Sequence, residues 1–396
     1  IFQDLALIYQ GGSHRLDWTV DEFRPYVVHR FADGSKDWLF DGFLFLEFKD
    51  GSGRNYTVGY EKLNARRTEW EWLLDRIFEQ GKSLSALDRC IGQEIKELGK
   101  PAFRHQIVLG LPEAIRGQKD WGEIDGREMD FSKEEDQIAA TKWYIGELVE
   151  RFKAAKFKHL ELSGFYWVAE DTHHCAELTI PLSEYIHSEG KLFYWIPYWQ
   201  AKGHEEWKRL GFDVAYQQPN HFFNHSIPDS RLDEACATAR RHGMAMEFEF
   251  DEKATAAIPN SSHDRMAAYI NHFEKNDVFN SSAVAYYCGN RGVLTLDESD
   301  NPKDKALMDR LARIIQARRY LKYGIPMKNK TRVVAHRGFW HTDGSAQNSI
   351  ASLLKADQLG VYGVEFDVWM ASDGVPVLNH DSWHDGYEVQ STPSTV

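Results

Sequence analysis

Residues 160–171 read Leu-Glu-Leu-Ser-Gly-Phe-Tyr-Trp-Val-Ala-Glu-Asp. The run begins as a short apolar strand, passes through three consecutive aromatics and ends on two carboxylates. A polar, helix-period stretch precedes it at 134–155, and another follows at 180–189. A strand with a helix on either side is the repeating unit of a parallel sheet with crossover connections.

The alternation continues in both directions. Strands are expected at 5–10, 42–48, 106–111, 159–166, 192–197, 214–217, 244–250 and 283–287. Helices are expected at 69–80, 134–155, 180–189, 229–242 and 302–322; the last has an Arg/Lys cluster at its C-terminal end, where the helix dipole favours cations. Eight such units make the fold class α/β and fit one (β/α)8 TIM-barrel-like domain. An open doubly wound sheet is the competing arrangement. Gly11-Gly12 after the first strand is too little for a dinucleotide site.

A barrel of this kind places its chemistry where strands run into loops. Tyr166, Trp167 and Glu170 fall there after the fourth strand, Trp195 and Trp199 after the fifth, and Gln217 and Asn220 after the sixth. The seventh strand carries Glu247 and Glu249, which share a face because side chains alternate along a strand. Aromatic faces pack on sugar rings, and glycoside hydrolysis needs two carboxyl groups across the scissile bond. The expected roles are Glu170 as acid/base and Glu249 as nucleophile. Tyr166, Trp167, Trp195, Trp199, Gln217, Asn220 and Glu247 are the expected substrate-binding residues, and no cofactor is expected here. Glu247 would also raise its neighbour's pKa by like-charge repulsion. The plainer readings stand beside these. Glu170 fits a solvated loop carboxylate, the alternation at 246–250 fits a half-buried strand, and 13 Trp with 17 Tyr fit a well-filled core.

The passages LELSGFYWVAED, YQQPNHFF (216–223) and MEFEFDE (246–252) resemble the domain family DUF4855, over most of residues 4–324. The resemblance implies a barrel associated with carbohydrate-active and surface proteins, and carries no activity with it.

A second pattern occupies residues 331–381. An apolar run ends in His336-Arg337-Gly338, a helical segment follows at 348–359, and a strand at 363–370 carries Glu365 and Asp367. A further short run delivers His380-Asp381. Two carboxylates at i and i+2 of a strand are a pair of hard oxygen ligands for a divalent cation. Two histidines beside them suit acid–base work on a phosphate, and the Arg337 fork suits a phosphate oxygen.

These residues, in this order and spacing, resemble the opening of the glycerophosphodiester phosphodiesterases. The resemblance implies His336 and His380 as the acid/base pair, Glu365 and Asp367 as ligands of a divalent metal (Ca or Mg), and Arg337 as a phosphate contact. It implies a glycerophosphodiester substrate and a TIM barrel. Gln347 stands where the family usually has Glu. The expected domains are 1–326 and 327–396, the latter as the first βα units of a second, incomplete barrel, loosely packed. The expected function is a phosphodiesterase-family hydrolase fused to a glycosidase-like barrel. Alternatives are a retaining glycosidase as the main activity, or a non-catalytic carbohydrate-binding module in the first part.

The formal net charge is −13 with no long basic run, which argues against nucleic acid as a partner. No apolar run reaches 18 residues, so no transmembrane helix is expected. The four cysteines form no CxxC pair that would mark a zinc site. The expected partners are a small-molecule or glycan substrate, and the expected location is periplasmic or extracellular.

Overall fold

The computed structural model describes residues 2–10, 17–173, 175–325, 332–342 and 344–395. Two compact units, Ile1–Ile325 and Pro326–Val396, make up the chain. Gly11, Gly12, the connector at 327–330 and Thr331 lie outside the described residues.

Eight strands of the first unit close into a barrel in chain order: β1 (Asp4–Tyr9), β2 (Gly42–Leu46), β3 (His105–Leu111), β4 (Leu160–Trp167), β5 (Leu192–Trp195), β6 (Val214–Gln217), β7 (Ala245–Glu249) and β8 (Val284–Tyr287). Every neighbouring pair is parallel, and β8 returns to β1 with Asp4 opposite Val284. The fold is the (β/α)8 barrel that the alternation predicts. The principal helices are α1 (Val20–Val27), α2 (Arg67–Ile77), α3 (Ser83–Leu98), α4 (Glu134–Ala155), α5 (Ala176–Ser188), α6 (Ser230–His242), α7 (His263–Lys275) and α8 (Pro302–Tyr323). The sequence pattern did not predict α3. Ser83, Ser85 and Gly92 weaken its propensity, yet Leu84, Leu87 and Ile91 recur at helical spacing and are buried.

Strand alternation sorts the core into two layers. Leu5, Leu7, Tyr9, Leu44, Leu46, Val108, Tyr166, Tyr194, Ile196 and Tyr216 form the interior cluster. Their sequence neighbours, such as Ala6, Ile8, Phe43, Phe45, Phe165, Trp167 and Trp195, pack with the helices. The interior is thus filled by side chains. On β4 a register shift between Leu162 and Gly164 resets the alternation. Gly164 is required there, because a Cβ would lie 2.0 Å from the Leu192 carbonyl oxygen.

At the basic end of α8, Lys322 lies in the last turn, where the helix dipole favours a cation, while the two arginines before it have other partners. Arg318 and Arg319 are buried, and they serve the barrel rather than the helix terminus. Arg318 Nε lies 3.0 Å from Asp4 Oδ1, and its Nη2 donates to the Ser282 carbonyl at 3.0 Å. Arg319 pairs with Asp37 at 3.1 Å. A buried charge needs a partner, so these pairs tie the last helix to β1 and the loop before β2.

In the second unit, β9 (Val334–Ala335), α9 (Ile350–Gln358) and β10 (Gly363–Val364) form a βαβ unit, with β9 and β10 parallel. β11 (Val368–Met370) and β12 (Pro376–Leu378) pair antiparallel. The single strand expected at 363–370 is therefore broken, and Glu365 and Asp367 occupy the irregular step between β10 and β11. Ala356, Ala371 and Val389 are the buried apolar residues described here, while Ile350, Leu354, Val368 and Met370 are exposed. Among the described residues no helix is long and apolar enough to cross a membrane.

Candidate active site

The C-terminal ends of the barrel strands surround a cavity of about 410 Å³. β1 contributes Leu7 and Tyr9, the β4 end Tyr166 and Glu170, the β6 end Gln218 and Asn220, β7 Glu247 and Glu249, and β8 Tyr287. Phe48, Lys49, Tyr60 and Phe223 form part of the rim, with Phe48 and Tyr60 stacked at 4.8 Å between centroids.

The acids are held differently. Glu249 is buried, and its carboxylate is surrounded by donors. His221 N–H reaches Oε2 at 3.0 Å and the Tyr269 hydroxyl reaches the same oxygen; Asn220 N–H reaches Oε1 at 3.2 Å. Burial raises its pKa overall, and these bonds to the ionised form oppose that rise without cancelling it. Glu170 accepts from Gln218 Nε2 at 2.8 Å. Burial, with lesser contributions from Glu249 and Asp171, pushes its pKa up to about 7, against the pull of Gln218. Glu247 is 3% exposed. Burial and the neighbouring Glu249 and Glu170 raise its pKa well above the usual carboxylate range.

Two amide side chains join the first pair. Gln218 donates to Glu170 and accepts at Oε1 from Asn220 Nδ2 at 2.8 Å, and that same nitrogen lies 3.4 Å from Glu249 Oε1. Asn220 has φ +48°, the left-handed region that Asn tolerates better than most residues. That turn aims its N–H and the next one at Glu249. Arg265 on α7 pins the loop by donating to the carbonyls of Phe222, Asn224 and Ile227 at 3.1–3.2 Å.

The cavity gathers Glu170, Glu247, Glu249, Tyr166 and Asn220 of the expected residues. It excludes the rest, for reasons of strand parity. Trp167 and Trp195 follow the inward Tyr166 and Tyr194, so they face the helices; Trp195 Nε1 donates to the Ala169 carbonyl at 2.8 Å and its ring stacks on Phe212. Gln217 follows the inward Tyr216, and its amide is spent on the carbonyls of Gln218 and Tyr198. Trp199 is covered by the Arg231 guanidinium at 4.8 Å and serves the site through its N–H, which holds Asn220 Oδ1 at 2.6 Å. Tyr9, Gln218, Tyr269 and Tyr287 were not among the expected site residues, although Tyr9 and Gln218 fall at strand ends. Parity marks Gln218, two residues beyond inward-facing Tyr216. Tyr269 comes from a helix, and no strand pattern reveals it.

In the second unit, His336 Nε2 lies 3.9 Å from Glu365 Oε2, an oxygen that also accepts the Arg337 N–H at 3.0 Å. Arg337 Nε is 3.3 Å from Asp367 Oδ2, and Asn348 Nδ2 donates to that oxygen at 3.1 Å. Gln347 holds Arg337 Nη1 at 2.9 Å. His380 pairs with its neighbour Asp381 at 2.8 Å. The two expected ligands thus stand on either side of Arg337. Each keeps one oxygen, Glu365 Oε1 and Asp367 Oδ1, with no protein partner among the described residues. That donor set fits two positions of a hard cation.

The fold and the first site define an α/β barrel with an acidic, aromatic-walled mouth. The chain belongs to the family described as Domain of unknown function (DUF4855), whose model matches residues 4–313. A second model, Glycerophosphoryl diester phosphodiesterase family, matches residues 336–389. Glycerophosphodiester phosphodiesterase 1 of Rattus norvegicus is 38% identical over 68 residues, 17% of this chain and 20% of the relative. The Homo sapiens protein of that name is 38% identical over 55 residues, 14% of this chain and 16% of the relative. The chain therefore spans about a fifth or less of the curated relatives it matches. Among solved structures, a glycerophosphodiester phosphodiesterase from Parabacteroides distasonis is 49% identical, covering 17% of this chain and 29% of that one, with a TM-score of 0.17. A putative alpha-L-fucosidase from Bacteroides thetaiotaomicron is 13% identical, covering 80% and 94%, with a TM-score of 0.42.

Proposed function

We propose that the barrel is a retaining glycoside hydrolase, with Glu170 as acid/base and Glu249 as nucleophile. The observation that carries this is the asymmetric treatment of two carboxyls in one cavity. Glu170 has a pKa of about 7 and so holds a proton near neutrality, while Glu249 sits in a ring of donors that favours its ionised form. Two carboxyls in one cavity held by such different sets of donors suit a division between acid and nucleophile. Glu249 Oε1 forms a bond to the anomeric carbon as the glycosidic C–O bond breaks, and the leaving oxygen takes the proton from Glu170. Glu170, now ionised, takes a proton from water, whose oxygen displaces Glu249 and restores both acids. Tyr9, Tyr166 and Tyr287 supply the apolar walls that keep bulk water from the reacting bond. A panel of aryl glycosides tests the reading. Cleavage that falls by about 10³-fold or more in Glu249→Gln supports it, and a panel that is not cleaved at all overturns it.

The second unit supports a second activity, phosphodiester hydrolysis, because it matches the phosphodiesterase family model over residues 336–389 and brings His336, Glu365, Arg337 and Asp367 together. Glu365 and Asp367 would hold a divalent cation, which when bound offsets phosphate charge. His336 and His380 would exchange protons with the attacking and leaving oxygens. The substrate proposed is a glycerophosphodiester. Hydrolysis of bis(p-nitrophenyl) phosphate with and without Ca²⁺ or Mg²⁺, compared with His336→Ala, tests it. Loss of signal in the variant supports the assignment, and an unchanged signal removes it.

A further inference from the structure

We infer that Glu247 is a recognition site for a positively charged amine, and that the barrel takes a sugar bearing a free amino group. The inference rests on the glycosidase reading for the sugar, and on separate observations for the amine.

Glu247 lines the cavity and is only 3% exposed, yet no hydrogen bond or ion pair reaches its carboxyl from the described residues. The other two acids of the cavity are bonded, Glu170 to Gln218 and Glu249 to Tyr269, His221 and Asn220. With no protein partner, its oxygens open to a ligand-sized cavity, where a ligand's donor can bond them.

The charge around it selects the kind of ligand. Three carboxyls line the cavity and Lys49 is its cation; Lys49 lies 3.5 Å from Glu61. A positively charged ligand favours the ionised form of each neighbouring carboxyl, so three titratable carboxyls beside one already paired cation suit a ligand that brings positive charge. The aromatic lining adds to this, since ring faces attract cations. The three acids do not converge on one point as the ligands of a single ion would. Among the described residues, the group of three potential metal ligands that converges within 4.8 Å is His204, Glu205 and His242, not these three glutamates. Acids spread more widely than one ion spans suit a molecule that carries its positive charge at one point and places its anomeric carbon at another.

The groups facing Glu247 are Glu249 on its own strand, Glu170, Tyr9, Tyr166, Tyr269 on α7, and Tyr287 with Cys288 on the last strand and the loop that follows. Burial and its two acidic neighbours raise the Glu247 pKa, which disfavours the carboxylate in the free protein. An ammonium arriving beside it favours the carboxylate. The amine keeps its proton, and Glu247 releases one to solvent.

Calorimetric titration of the full chain with methyl glucosaminide and methyl galactosaminide, each against its N-acetylated counterpart, tests the inference without turnover. The titrations are run at pH 7 in phosphate and in MOPS, whose ionisation heats differ. The expected result is a preference of about tenfold or more for a free amine, equivalent to about 1.4 kcal/mol, with buffer-dependent heat reporting net proton release. Glu247→Gln should reduce the preference to about threefold or less and remove the release. If that variant does not fold, the wild-type preference and proton release decide alone. Equal binding of amine and N-acetyl partners overturns the inference and leaves the glycosidase reading standing. Binding of neither also overturns the inference, while cleavage of the aryl glycoside panel decides the glycosidase reading separately.

Discussion

Replacing Tyr269 with Phe isolates what holds Glu249 ready to attack. The Tyr269 hydroxyl donates to Glu249 Oε2, and its ring packs against Phe248 at 5.0 Å and Phe273 at 5.6 Å. Phe keeps the packing and deletes one donor. A hydrogen bond to a charged acceptor contributes about 1.5–3 kcal/mol, and 1.36 kcal/mol corresponds to one pH unit. The bond favours the ionised carboxylate, so its loss moves the Glu249 pKa upward, by about 1–2 units. Glu249 must be ionised to act, so the acid limb of kcat/KM against pH should move upward by that amount. The basic limb, set by Glu170 at about 7, should stay in place. The working window narrows from the acid side and the maximum rate falls. Titration of ¹³C-labelled glutamate carboxyls by NMR gives the same quantity without substrate. A folded Tyr269→Phe protein whose acid limb and carboxyl titration move by less than about 0.3 units would refute the reasoning.

Two further outcomes follow from buried charge. Glu170 carries a folded pKa of about 7, above its ordinary 4.5. The folded state therefore keeps a proton that the unfolded chain releases, and the stability contribution falls as pH rises from about 4.5 to about 7 and is flat above. Glu170 is partly exposed, which screens the effect. Glu170→Gln should be more stable than wild type by about 1–3 kcal/mol at pH 8, with no gain near pH 4, as read by urea unfolding. Arg318→Ala leaves Asp4 buried beside an empty site and should cost about 3–5 kcal/mol, seen as a lower Tm. Asp4→Asn combined with Arg318→Met should recover part of that loss.

Much of the barrel was legible because its strands are short apolar or aromatic runs at regular spacing. α4 was readable to its ends, since the acidic first turn and the long apolar period agree. α3 was not, because its evidence lies in burial rather than propensity. In the site, the residues on one strand face were legible: Glu247 with Glu249 required only alternation. Trp167, Trp195 and Gln217 were misplaced by counting aromatics and amides near strand ends without applying that alternation, which sends each to the opposite face from Tyr166, Tyr194 and Tyr216. Tyr269 and Arg265 act from a helix, and the Asn220 turn depends on a positive φ. Such long-range geometry leaves no local mark in sequence. In the second unit, the His-Arg-Gly and Glu-x-Asp pattern was readable, but the break between β10 and β11 was not, because the run 363–370 is apolar enough to look like one strand.

The most direct test of the central claim is mass-spectrometric mapping of the barrel after incubation with 2-deoxy-2-fluoro glycosides that trap a glycosyl-enzyme. A Glu249 nucleophile leaves one added sugar on the peptide containing Glu249, absent in Glu249→Gln. A label on another carboxyl, or turnover of the parent glycoside with no trapped species, would contradict it.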